Sequence, residues 1–139
     1  MGGSMTFLSK WSEEILSLQR IVASFLFSQH GTQKIFGFPI KAREPFDLFT
    51  LSSGPAGMLE AILGLLLLVG LFTRSIAFVA SGFMAVAYFM AHAPRGFWTV
   101  VNGGDAAVLY CFMFLYFAAV GGGKWSIDAW LAARTTQQK

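Results

Sequence analysis

The sequence predicts an all-α protein: an antiparallel, up-and-down four-helix bundle integral to a membrane, with short interfacial helices at both ends. Three observations carry that prediction. First, 55% of the 139 residues are hydrophobic and only 12% are charged, with a mean hydropathy of +0.61; soluble domains carry about 25% charged residues. Second, Leu48–Thr73 holds a single charged residue, Glu60, and Ala106–Gly123 holds none. Apolar stretches near 20 residues match the hydrocarbon thickness of a bilayer. Third, Pro, Gly and Asn-Gly signals separate these stretches cleanly. A soluble helical bundle is the alternative, and it would have to hide the whole of Ala106–Gly123.

The rest of the composition sets limits. The length fits one domain, residues 5–139, and Met1-Gly2-Gly3-Ser4 before Met5 reads as an expression scar. No cleavable signal pattern precedes the first span, because Lys10, Glu13 and Glu14 interrupt Phe7–Ile15. The net charge of +3 is spread out, so no nucleic-acid footprint is present. Cys111 is the single cysteine, which excludes an intrachain disulfide and a Cys-based metal site.

Residues 6–14, with Trp11 among polar neighbours, read as an interfacial lead-in helix. A first span follows over about 15–36. At about 100° per residue, Arg20, Ser24, Phe27, Gly31 and Lys34 fall within roughly 40° of one line, with His30 about 80° away. That polar face must point into protein. Residues 37–53 form a long connection, too rich in Phe and Ile for a free linker, folded against the membrane surface. The second span, about 55–72, starts with Ser53 as N-cap and Pro55 in the first turn. Gly57, Glu60, Gly64 and Leu67 share one of its faces, so a neighbouring helix can approach the carboxylate closely. A two- or three-residue link forces an antiparallel third span, about 75–93, with Phe78, Ser81, Ala85, Tyr88 and His92 on one stripe. Asn102-Gly103-Gly104 is a turn, and Asp105 opens a fourth span, about 105–120, as an anion at a helix N-terminus. Asp105, Leu109, Phe112, Tyr116 and Ala119 share a face of it, with Cys111 well off that face. Gly121-Gly122-Gly123 stops the helix, and Ser126 caps a short interfacial tail helix with Trp125 and Trp130 as anchors.

Four spans put both termini on one side, with Lys10, Arg74, Lys124, Arg134 and Lys139. The other side has Lys34, Lys41, Arg43 and Arg95. The bias favours cytoplasmic termini. On the opposite side His30, Lys34, Glu60, His92 and Asp105 converge at one depth, with Arg20 deeper toward the termini. Intramembrane ionisable groups need a partner, a proton or a water-filled cavity. No phosphate-binding loop, CxxC or nucleophile elbow is present. His30, His92 and the two carboxylates lack i, i+4 ligand spacing, which argues against a metal, and paired axial histidines for haem would require both rings to turn inward.

These residues resemble the DoxX family of small bacterial membrane proteins. The resemblance rests on Arg20 with Phe27–Gly31 and Lys34, on Glu60–Gly64 with Gly70-Leu71-Phe72-Thr73-Arg74, on His92 and Asn102-Gly103-Gly104-Asp105, and on Gly121–Asp128. It covers Ile15 to Asp128. Asp105 stands where the family often has Glu, and the connection 39–53 departs from the pattern. The resemblance implies a four-helix membrane fold and an association with quinone-linked oxidoreduction, including thiosulfate oxidation, and with oxidative-stress resistance.

Three functions follow as expectations. In the first, the protein is a quinone-linked oxidoreductase or a membrane subunit of a redox complex. Glu60, His30 and His92 are then the catalytic set, with His30 or His92 donating to one quinone carbonyl and a protonated Glu60 to the other. Arg20 or Lys34 stabilises developing charge, Phe27, Tyr88 and Tyr116 stack on the ring, and Asn102 and Asp105 complete the ligand-binding set. The chain has no electron relay of its own, so a soluble redox or sulfurtransferase partner, or an organic reductant, supplies electrons. In the second, the polar cluster is structural glue in a non-catalytic binding or assembly protein, a homo-oligomer included. In the third, the chain is a small proton-coupled carrier.

Overall fold

The structure, a computed structural model, describes residues 7–137; the expected scar, Met1–Ser4, and Lys139 lie outside them. Every regular element among the described residues is helical. A 3-10 turn, Ser9–Trp11, leads into α1, Ser12–Phe36. Gly37, at a φ of 65°, ends α1 by donating its N–H to Gln33 O. After the 37–54 connection come α2, Pro55–Val69, and α3, Thr73–Ala87. The path of α3 continues through a π-helical turn, Tyr88–His92, and a 3-10 turn, Ala93–Arg95. A single turn, α4 (Thr99–Asn102), precedes α5, Asp105–Val120, and the tail helix α6, Ile127–Gln137.

Pro55 occupies the first turn of α2 as expected, but the N-cap is Gly54. The Ser53 hydroxyl donates instead to Asp47 O at 3.2 Å and steadies the loop. Ser126 does cap the tail: its Oγ accepts the Ala129 N–H at 3.1 Å.

Helix lengths depart from the expected four membrane-length spans. The continuous path Thr73–Arg95 is the one helix long and apolar enough to cross a membrane by itself among the described residues. At about 1.5 Å per residue, the 15 residues of α2 and 16 of α5 reach roughly 22 and 24 Å. Gly70, at a φ of 71°, stops α2 three residues before the expected end. The 25 residues of α1 are long enough but carry too many polar groups.

Two antiparallel pairs, α1 with α2 and α3 with α5, make up the body. The close approach read from Gly57 and Gly64 occurs. A Cβ on Gly64 would meet Ser28 Cβ at 2.8 Å, and one on Gly31 would run into the α2 backbone at Ala61 and Gly57. Phe27 joins the pairs: it is buried on α1 and meets Phe114 edge-on at 5.0 Å and Tyr110 at 5.5 Å. Leu63, Leu67, Ala77, Ala80, Met84 and Phe117 complete the core around it.

The outer faces are apolar too. Leu18 and Phe25 on α1, Ile62 and Leu65 on α2, Phe78 and Val86 on α3, and Leu109 and Phe112 on α5 all stand exposed. Of the shared faces read from the sequence, the α3 stripe is mixed, with Ser81 buried, and the α5 face is turned outward. Phe78 is 67% exposed, and the face of α5 bearing Asp105, Leu109, Phe112 and Tyr116 points outward; Ala107, Phe114 and Phe117 fill the core instead. In a uniformly apolar helix, periodicity carries no information about which side is inside.

Candidate functional site

The polar side chains of α1 divide between the two ends of the bundle. At the terminal end Arg20 is fully buried. Its Nε donates to Gly122 O at 2.8 Å, Nη1 to Leu67 O and to Leu68 O, and Nη2 to Trp125 O. The carbonyls at Leu67 and Leu68 belong to the last turn of α2, where Leu67 O also accepts the Gly70 N–H at 3.1 Å and Arg20 supplies the further donors. Other charges in the same region do equivalent work. Asp128 accepts the N–H groups of Phe72 and Thr73 at 2.8 and 2.7 Å, satisfying orphan donors at the start of α3. Arg74 donates to the Ala118, Ala119 and Val120 carbonyls at the end of α5. Ser17 Oγ accepts the Trp125 N–H at 3.0 Å. This end is a clasp of charged side chains on backbone groups.

At the opposite end Lys34 on α1 meets Glu60 on α2, Nζ to Oε1 at 2.7 Å. The Glu60 side chain is 9% exposed and that of Lys34 is 32% exposed. Glu60 Oε2 is buried without a hydrogen-bond partner. A carboxylate so placed needs its ammonium partner, and it retains an acceptor for a further donor. His30, one turn earlier on α1, is exposed and lies edge-on to Tyr110 of α5, ring centroids 6.4 Å apart.

A second cluster sits where the α3 path turns into α4. His92 stacks on Tyr88 at 6.2 Å with 16° between planes, and its Nδ1 lies 3.2 Å from Asn102 O. Asn102 is buried; its Nδ2 donates to the Tyr88 hydroxyl at 3.3 Å and to Gly96 O at 2.8 Å, while Oδ1 accepts the Gly104 N–H. Asn102 therefore fixes both rings.

The five groups expected at one depth thus fall into separate sets. Lys34, Glu60 and His30 lie along α1 and α2, and His92, Tyr88 and Asn102 lie along the α3 path. No hydrogen bond, ion pair or ring contact joins the two sets among the described residues. The π-helical turn at Tyr88–His92 departs from the α-helical period from which the His92 stripe was read. Asp105 is the first residue of α5 and is exposed, with no ion pair among the described residues. Tyr116 is 54% exposed on the outer face. Phe27 is core, and Arg20 lies about 10 Å along α2 from the level of Glu60, its guanidinium spent on carbonyls. No group of three or more His, Cys, Asp or Glu side chains gathers as a metal site among the described residues.

Three hollows adjoin one another: the first two share His30, and the second and third share Leu26 and Tyr110. The first, about 550 Å³, lies under the 37–54 connection and is lined by Lys34, Lys41, Arg43, Glu44, Ser52 and Ser53 as well as His30. The second, about 240 Å³, lies between Leu26, Gln29, His30, Gln33, Ile40 and Tyr110. The third, about 280 Å³, is an apolar groove between α1 and α5 with Val22, Leu26, Leu109, Tyr110 and Met113 on its walls. Sequence reasoning missed Lys41, Arg43, Gln29 and Tyr110 as lining residues. The charge pair on the connection was a signal for the first two; nothing in the pattern of α5 singled out Tyr110.

A helical bundle clad in exposed leucine, phenylalanine and valine, with its charges gathered at the two ends of the helices, is a membrane protein. The chain belongs to the DoxX family, whose model, described as DoxX, matches residues 15–93. A curated relative from Haemophilus influenzae, described as an uncharacterized protein, is 39% identical over 134 residues, covering 89% of this chain and 96% of its own length. No solved structure matches. The family match takes in Arg20, His30, Lys34, Glu60 and His92 and ends before Asn102 and Asp105.

Proposed function

We propose that the chain is a multi-pass protein of the bacterial inner membrane, with cytoplasmic termini, that binds a quinone as the membrane subunit of a redox system. The observation that carries this reading is a pair of adjoining hollows that share Leu26 and Tyr110: a mixed hollow lined by His30, Gln29 and Gln33, and an apolar groove between α1 and α5. A quinone has the same sequence of polarity, a ring with two carbonyls followed by an apolar chain, and it carries two electrons with two protons. His30, Gln29 and Gln33 are donors at the mixed hollow, Tyr110 offers a ring face, and the α1–α5 groove fits a chain. The free Oε2 of Glu60, behind Lys34, supports the fit of a proton-carrying ligand close by. Electrons come from a partner, a soluble redox or sulfurtransferase protein.

In the membrane, α1, α2, the α3 path and α5 each cross. The shortness of α2 and α5 is met by tilt, by local thinning and by the apolar residues that flank them, at a cost of fractions of a kcal/mol per Å. The non-catalytic reading is favoured by one observation, the saturation of Arg20 by backbone carbonyls. We assign that role to the terminal end alone.

Photolabelling tests the site. A ubiquinone analogue with a photoreactive group on the ring should label the peptides containing His30 and Tyr110, and excess unlabelled quinone should protect them. Labelling spread evenly over the exposed faces of α2 and α3, without protection, contradicts the proposal.

A further inference from the structure

The chamber under the 37–54 connection has a chemistry that a quinone ring does not use. Lys41 and Arg43 line it together with Lys34, and the acids beside them are Glu44 and, behind Lys34, Glu60. Glu60 is committed to Lys34 at 2.7 Å, and Glu44 accepts only a long 3.5 Å bond from Ser52. Lys41 and Arg43 make no hydrogen bond or ion pair among the described residues, so two unpaired cations face one hollow of about 550 Å³. The hydroxyls of Ser52 and Ser53 line the same hollow. Two cations lining one hollow, one of them a guanidinium fork, with hydroxyl donors beside them, are the donor set that recognises a tetrahedral oxyanion.

The loop that carries these cations is also the part best placed at a lipid surface. Phe38 is 68% exposed, Ile40 65% and Phe49 91%, all within the connection that holds Lys41 and Arg43. Exposed aromatic and aliphatic side chains flanking basic ones favour the headgroup layer, where phosphates are concentrated. We propose that the chamber is a phosphate site that takes the headgroup of an anionic phospholipid between Lys41 and Arg43, with the serine hydroxyls completing its hydrogen bonds. It adjoins the mixed hollow assigned to the quinone, sharing His30, Gln33 and Ile40 with it, but its two cations line the chamber alone and the anion site does not depend on that assignment.

Purified protein reconstituted in phosphatidylcholine nanodiscs, with and without phosphatidylglycerol, tests the site by native mass spectrometry of retained lipid. Wild-type protein should retain phosphatidylglycerol over phosphatidylcholine. Lys41→Gln with Arg43→Gln, which removes no hydrogen bond or ion pair among the described residues, should reduce that preference at least about tenfold with an unchanged unfolding temperature. Lys10→Gln, at the other end of α1, should leave it intact. Inorganic phosphate is titrated in parallel. Failure of phosphate to displace the lipid assigns the site to a headgroup, whereas phosphate binding that is lost in the double variant keeps the anion site and makes a free anion its occupant. Equal retention of the two lipids with no phosphate binding, or a preference that survives in the double variant, overturns the proposal.

Discussion

Arg20 and Glu60 are both charged residues buried on apolar helices, and their surroundings give them different work. Arg20 donates to four backbone carbonyls on two segments, so its removal takes a donor from each of them at once. Arg20→Gln should cost at least about 3 kcal/mol of stability. Arg20→Lys should recover less than half of that, because an ammonium cannot span carbonyls set for a planar fork. Thermal unfolding in detergent reads both. Glu60 has one partner, Lys34 at 2.7 Å. Glu60→Ala leaves the lysine unpaired and should destabilise by about 3–5 kcal/mol, while Lys34→Met with Glu60→Met should recover most of that loss. A double-mutant cycle on the unfolding free energy gives the coupling. If the double variant is as unstable as Glu60→Ala, the pair is not what holds this end of α1 against α2.

At the scale of elements, the α1–α2 contact is set by absent side chains and the 37–54 connection by one carboxylate. Gly31→Leu drives a side chain into the α2 backbone and should separate the pair, whereas Gly82 on α3 has nothing within 4 Å of a built Cβ. Gly82→Ala should stabilise by about 0.5–1 kcal/mol through the lower entropy of the unfolded chain. Unfolding temperatures of opposite sign for the two variants are the expected result. In the connection, Asp47 accepts the Thr50 hydroxyl at 2.6 Å and the Phe49 N–H at 3.1 Å, and these bonds hold its carboxyl below the ordinary range. A depressed carboxyl steadies the folded loop above the ordinary carboxylate pKa of about 3.9, and that contribution disappears as pH falls through the lowered value. Protection from hydrogen exchange at residues 47–54, taken relative to the intrinsic rate at each pH, should therefore fall in acid, and Asp47→Asn should show the lower protection at neutral pH already.

Much of this element-level account was legible beforehand for a physical reason. The small residues Gly57 and Gly64 flank the lone carboxylate of α2, and a carboxylate in that setting must face a helix. The bounds of the 105–120 helix follow from the Asn-Gly-Gly turn and the glycine stop. The inward face of α5 was not legible, because both of its faces are apolar, and neither was the π-helical turn at Tyr88–His92, which no local residue preference specifies. The role of Arg20 was hidden because its partners are carbonyls, which carry no signature in a sequence. Convergence at one depth was read correctly for Lys34 and Glu60, but depth alone does not say which residues share an interface.

For the molecule as a whole, the two ends divide the labour. Arg20, Arg74 and Asp128 clasp helix ends at the terminal side, and that region of the family pattern, including Gly70–Arg74, is explained by backbone satisfaction. The other end holds the ion pair, the exposed imidazole and the two hollows that His30 lines, and the apolar groove extends from there between α1 and α5. Labelling of single cysteines in a Cys111→Ser background should reach positions 49 and 97 from one side of the membrane and position 134 from the other, as an up-and-down bundle with four crossings requires. The most direct test of the central claim is the quinone dissociation constant of His30→Ala in nanodiscs, measured beside its unfolding temperature. His30 makes no hydrogen bond within the fold among the described residues, so the account predicts an unchanged unfolding temperature and an affinity weakened about tenfold, the worth of a hydrogen bond of about 1.4 kcal/mol. Wild-type affinity in the folded variant, or no saturable quinone binding by the wild-type protein, would contradict it.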